Sequence, residues 1–136
     1  MKPGSDKIFA RADRALARAV EHMSSGAVDR ALERAYHAIV YAARAVLNEE
    51  GESARSHELI LERLSVLTRP RPRATYDAMV AALRLREASE VPSLDDCAAL
   101  IGAAHSAVAE ARVRVLGDRV EQGENNDRSY QSDSGE

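Results

Sequence analysis

Arg34-Ala35-Tyr36-His37-Ala38-Ile39-Val40-Tyr41-Ala42-Ala43-Arg44-Ala45-Val46-Leu47 lies inside a longer run, Val28 to Glu50, that contains neither proline nor glycine and stops at Gly51. Val28, Leu32, Ala35, Ile39, Ala42 and Val46 recur at helical spacing, and Tyr36, Val40, Ala43 and Leu47 form a second stripe beside them. Together they make an apolar face wide enough to meet two neighbours. The run therefore predicts one continuous helix. Away from that face lie Arg30, Arg34, His37, Tyr41, Arg44 and Asn48, spaced 4, 3, 4, 3 and 4 residues apart, which puts six hydrogen-bonding side chains in line.

The flanking sequence repeats the pattern. Ile8, Phe9, Ala12, Ala15, Leu16, Ala19, Val20 and Met23 predict a helix over about Asp6 to Met23, ended by Ser24-Ser25-Gly26. Ser56 is positioned to cap a shorter helix through about Leu67, with Leu59, Ile60, Leu64 and Leu67 inward. Arg69-Pro70-Arg71-Pro72-Arg73 breaks the chain there, because each proline lacks an amide donor and disfavours helix just before it. A fourth helix is expected over about Ala74 to Ala88, carrying Met79, Val80, Leu83 and Leu85. After Val91-Pro92, Ser93 and Asp96 form a capping pattern. The helix that follows, about Leu94 to Leu116, aligns Leu94, Cys97, Ala98, Ile101, Ala104, Val108, Ala111 and Val115. Gly117 is read as its end, or as a kink before a fraying extension.

These segments predict an all-α fold, an antiparallel four- to five-helix up-and-down bundle over 1–120 with a disordered acidic tail over 121–136. The chain of 136 residues is long enough for one core and too short for two. A composition of 45% hydrophobic and 30% charged residues excludes a wholly disordered chain. The longest apolar runs, such as Ala38 to Ala43, reach six residues, against about 18 for a membrane span. Asp6, Arg11, Asp13 and Arg14 interrupt any signal-peptide apolar region, and a single cysteine excludes an internal disulfide. A reducing cytoplasm is the expected location. The net charge of −3 conceals a split, with +3 over residues 1–48 and −4 over residues 121–136.

The run from Arg34 to Leu47, followed by Gly51 and then Ser56-His57, resembles the HEPN domain family, whose small prokaryotic members read R-A-Y-Y-A, A-A-R-A-L-L, G and S-H. A downstream arginine, Arg84 or Arg86 here, fits the same pattern. The resemblance implies a helical bundle that works as a homodimer. It also implies a function tied to a nucleotide or RNA, in some members as a ribonuclease toxin paired with a nucleotidyltransferase protein partner. Two positions depart from the pattern. His37 replaces the second tyrosine, and Ala88-Ser89-Glu90 stands where an aspartate-tyrosine pair commonly follows the arginine.

Nuclease members separate an arginine from a histidine by four to six intervening residues, near the start of the last long helix. Neither Arg84 nor Arg86 has one, and His105 comes much later. Arg30 and His37 match formally, but sit about 10.5 Å apart along a helix, further than one phosphate spans. No catalytic residue is assigned. The candidate ligand-binding residues are Arg30, Arg34, His37, Tyr41, Arg44, His57, Arg84 and Arg86. The first five suit phosphate clamping with base stacking, and equally an ordinary solvated face. His57, in the first turn of its helix, is expected neutral and hydrogen-bonded to another helix or as a local cap. His105 is expected at the edge of the core, and Cys97 as an inert core residue. No histidine shows metal-ligand spacing with acidic residues, so no metal site or cofactor is expected. Three functions stand: a non-catalytic binding module, a metal-independent ribonuclease toxin, and a purely structural protein-interaction module.

Overall fold

The computed structural model describes residues 4–52, 56–66, 72–88 and 90–130, with side chains described as far as Leu116. Five helices follow one another: α1 (Ser5–Ser24), α2 (Val28–Glu49), α3 (His57–Ser65), α4 (Arg73–Glu87) and α5 (Leu94–Tyr130). The described residues contain no strand, and none of these helices is long and apolar enough to cross a membrane.

α2 is the central element. It packs on α1 and α5 most extensively, then on α4 and α3, while α4 and α1 also close on α5. Ala31, Ala35, Ala38, Ala42, Ala43 and Ala45 are all fully buried, because four neighbours surround this helix. Their single methyl groups let helix axes come close to the near end of the usual ~8–10 Å range. Ile39, Val46 and Leu47 fill the spaces between. Burying each of these larger side chains contributes about 1.5–3 kcal/mol.

The helix ends follow the sequence closely. Gly26 and Gly51 adopt φ of 81° and 76°, a region in which side chains carrying a Cβ are strained. At the second of these, Glu52 N–H donates to Leu47 O at 2.8 Å and Gly51 N–H to Asn48 O at 3.1 Å, so two terminal carbonyls are satisfied. Ser56 Oγ accepts from Leu59 N–H at 3.1 Å. Ser93 and Asp96 cap each other reciprocally at 3.0 and 3.1 Å.

α4 begins differently. Pro72 stands at its N-cap position and supplies no side-chain acceptor. The acceptor comes from α5. Glu110 takes Ala74 N–H at 3.0 Å, Thr75 N–H at 2.8 Å and the Thr75 hydroxyl at 2.8 Å. A carboxylate there also suits the positive end of the helix dipole.

Several positions depart from expectation. α3 stops at Ser65, and Leu67, Arg69, Pro70 and Arg71 lie outside the described residues. Leu94, the first residue of α5, is 56% exposed, and Val20 is 41% exposed at the rim of a groove between α1 and α5. Ala98 is also exposed, and Leu100 and Ala107 take up the inward face instead. The helical backbone of α5 continues through Gly117 to Tyr130, because helix hydrogen bonds are local and need no apolar partner face. The final six positions of the expected acidic tail, 131–136, lie outside the described residues.

Glu110→Ala strands two amide donors and leaves the buried Thr75 hydroxyl only the Ala107 carbonyl. Unfolding free energy, read by urea titration, is expected to drop by about 1–3 kcal/mol. Replacing exposed Asp95 by alanine should stay within about 0.5 kcal/mol of the wild type.

Candidate functional site

Three helices bring one cluster together. Tyr36 projects from the middle of α2, His57 is the first residue of α3, and Arg86 lies in the last turn of α4. The Tyr36 hydroxyl is hydrogen-bonded to His57 Nδ1. The rings meet edge to face, with centroids 4.9 Å apart and planes at 81°. The Arg86 guanidinium stacks over Tyr36, 4.4 Å from the ring centroid. Glu33, one turn before Tyr36 and His37, accepts from Arg86 Nη1 at 3.3 Å and meets His37 Nε2 at 3.2 Å.

The electrostatics follow from burial and from those neighbours. Burial pushes the His57 imidazole below its ordinary range, and Arg86 and Arg44 push it the same way. Burial raises the Tyr36 phenol, with Arg86 opposing and Glu58 and Glu33 reinforcing the rise. A protonated phenol and a neutral imidazole share this hydrogen bond, with one proton between Tyr36 Oη and His57 Nδ1.

Beside this cluster, between α2 and α4, opens a cleft of about 240 Å³. Leu32, Leu85 and Leu100 give it apolar walls, and Asp29, Glu33 and Arg86 give it a charged rim. The Arg86–Glu33 pair is about half exposed, at 47% and 52%, so its strength is at most about 1 kcal/mol. A phosphate or carboxylate that bonds Arg86 in two places can displace it.

The expected site residues are divided by the fold. His57 and Arg86 enter the cluster, and His37 joins it through Glu33. Arg84 is exposed on a separate groove between α3 and α4. Arg30 and Arg44 are exposed, whereas Arg34 and Tyr41 are half-buried against α1. The polar stripe of α2 is not one outer face, because α1 packs against part of it. Neither Arg30, Arg34 nor Arg44 forms an ion pair among the described residues. The expected hydrogen bond from His57 to another helix is present, and desolvation with nearby arginines, more than a helix dipole, keeps it neutral. His105 is exposed beside α1 rather than at the core edge, because it sits one step round α5 from buried Ala104. Cys97 is buried, and burial raises its thiol.

Tyr36 and Glu33 are the residues that periodicity missed. Tyr36 is 3% exposed and belongs to the apolar stripe, while its hydroxyl serves the site. The signal for it was the R-A-Y element of the family-like run, at Arg34-Ala35-Tyr36.

A model of the HEPN domain family matches residues 5–111 of the 136. The match spans α1 to α4 and the first half of α5, and so includes every residue of the cluster. No curated protein matches the chain.

A histidine whose folded form favours neutrality ties stability to pH with a fixed sign. Its contribution is fully present above the unfolded value of about 6.5 and is lost as pH falls below it, levelling off beneath the depressed folded value. NMR titration should place the His57 midpoint below about 6.5, and urea midpoints should fall on acidification from pH 7.5 to 5.5 more in the wild type than in His57→Gln.

Proposed function

Because this chain belongs to the HEPN domain family, we propose that it is a non-catalytic binding module that recognises a nucleotide, free or within RNA, in the cleft between α2 and α4. The observation that carries this is Arg86, held above an apolar floor by an aromatic face and one exchangeable carboxylate. Its guanidinium meets phosphate, and the leucine walls accept the flat apolar face of a base. The histidines near Arg86 are already engaged, His37 with Glu33 and His57 with Tyr36, which supports binding rather than phosphodiester cleavage.

The chain is further read as a homodimer. Val20 of α1 and Val113 and Leu116 of α5 are 41%, 70% and 40% exposed, apolar side chains that a second copy could cover. A nucleotidyltransferase protein is the proposed heterologous partner, in a toxin–antitoxin-type pair. That part of the proposal is drawn from family membership alone.

One observation favours a second reading, a metal-independent ribonuclease. A neutral His57 is competent to accept a proton at neutral pH, and it lies beside the Arg86 guanidinium. Growth arrest on expression, relieved by His57→Ala, together with RNA cleavage in the presence of EDTA, would establish it over simple binding.

Calorimetric titration with nucleoside monophosphates, triphosphates and short RNAs tests the binding role. Loss of charge-assisted hydrogen bonds in Arg86→Ala is expected to weaken affinity by about tenfold or more, while Arg84→Ala changes it by less than about twofold. Equal affinity of wild type and Arg86→Ala removes the cleft from the proposal. Light scattering after size exclusion checks the dimer.

A further inference from the structure

We propose that the groove between α1 and α2 is a second binding site, for the phosphate backbone of a single-stranded nucleic acid. Arg11, Arg14 and Arg18 of α1 line it together with Arg34 and Tyr41 of α2, around a space of about 310 Å³. The three α1 arginines are exposed, and Arg34 and Tyr41 are half-buried. None of the four guanidiniums has an ion pair among the described residues. Glu21, three residues after Arg18, pairs with none of them among the described residues, and two other neighbouring carboxylates are engaged elsewhere. Asp13, next to Arg14, accepts from Arg112 of α5 at 2.9 Å, and Glu33, next to Arg34, holds His37 and Arg86.

Folding does not require this arrangement. Arg11 and Arg14 are three residues apart and Arg14 and Arg18 four, so like charges stand side by side on one helix and weaken it. A bound polyanion turns that repulsion into attraction. Arg11 to Arg18 covers about 10.5 Å of helix axis, more than one phosphate group occupies and suited to successive phosphates of an extended strand. Guanidiniums bind phosphate oxygens in pairs, and the Tyr41 ring offers a face for an unpaired base. Among the described residues Ala15 is the only aliphatic side chain lining the groove, and an open cationic track fits a strand better than a mononucleotide.

The groove is independent of the α2–α4 cleft. At 3.6 residues per turn, Arg34 and Tyr41 lie roughly 140–160° around α2 from Tyr36, on nearly the opposite side. One site can therefore fail without the other.

Fluorescence anisotropy of the full chain with a labelled oligouridylate tests the proposal. Wild type should bind with a log–log salt slope of about −2 to −3, as expected for three or four neutralised phosphates on a single strand. Arg14→Glu with Arg18→Glu should weaken binding at least tenfold and flatten the slope. The neutral pair Arg14→Gln with Arg18→Gln should weaken it several-fold, and Tyr41→Ala about fivefold or more. Circular dichroism should show the helical content of these variants unchanged, since Arg14 and Arg18 are exposed and Tyr41 is only half-buried. Mononucleotide affinity at the α2–α4 cleft should persist in the Arg14 and Arg18 variants, which separates failure of one site from failure of the other. Unchanged oligouridylate binding in the glutamine pair overturns the proposal. So does tripolyphosphate displacing the strand at equal concentration, which would assign the groove to free polyphosphate. Equal binding of an RNA duplex overturns the single-strand assignment.

Discussion

Burial of most of α2 among alanine methyl groups is the constraint on which the rest of the molecule depends. A helix surrounded by α1, α3, α4 and α5 has little room for long side chains, and six alanines of α2 are wholly excluded from solvent. Close packing makes any added methylene costly, about 1–3 kcal/mol for an overpacked core position. It also fixes where the remaining polar residues of α2 can emerge. Those between α2 and α4 reach the cleft, and those between α2 and α1 reach the cationic groove.

The arginines are divided accordingly. Arg63, Arg86, Arg112 and Arg114 each meet a carboxylate and tie one element to another. Arg112 also lies over Phe9, 5.0 Å from its centroid, joining α5 to α1 by stacking as well as by charge. Most of these pairs are exposed enough to contribute little each, so they orient helices more than they stabilise them. Arg11, Arg14, Arg18 and Arg34 make no such pair among the described residues, and their charge is unspent by folding. Charge that does no structural work, concentrated in one groove, raises the local concentration of an anionic partner.

The Tyr36 cluster shows a different logic. Its parts come from three helices, and each is fixed by a local feature of its own helix. Ser56 caps α3 and so places His57 at the first position, and Pro92 with the Ser93–Asp96 capping pair follows α4 closely enough to wall the cleft. Burial then favours the neutral forms of both, an imidazole and a phenol sharing one hydrogen bond.

Periodicity, capping residues and breakers were sufficient to read all five helices, the continuity of α2, and the burial of Cys97, Ile39 and Ala104. The resemblance of Arg34 to Leu47 to a HEPN domain was legible for the same reason, since a motif on one helix is a local pattern. What spacing cannot express is the neighbour. It reports the angle at which a side chain leaves its helix, and not which other helix waits there. So Tyr36 read as core although its hydroxyl reaches His57, and no spacing singled out Glu110, which caps α4 in place of Pro72. Arg34 and Tyr41 read as one line with Arg30 and Arg44 until α1 separated them. The amino-acid order alone determined an α-helical bundle whose second helix is continuous and carries an apolar face wide enough for several neighbours. The tertiary structure alone decided which polar groups meet, because hydrogen bonds and charges act over a few ångströms between residues distant in the chain.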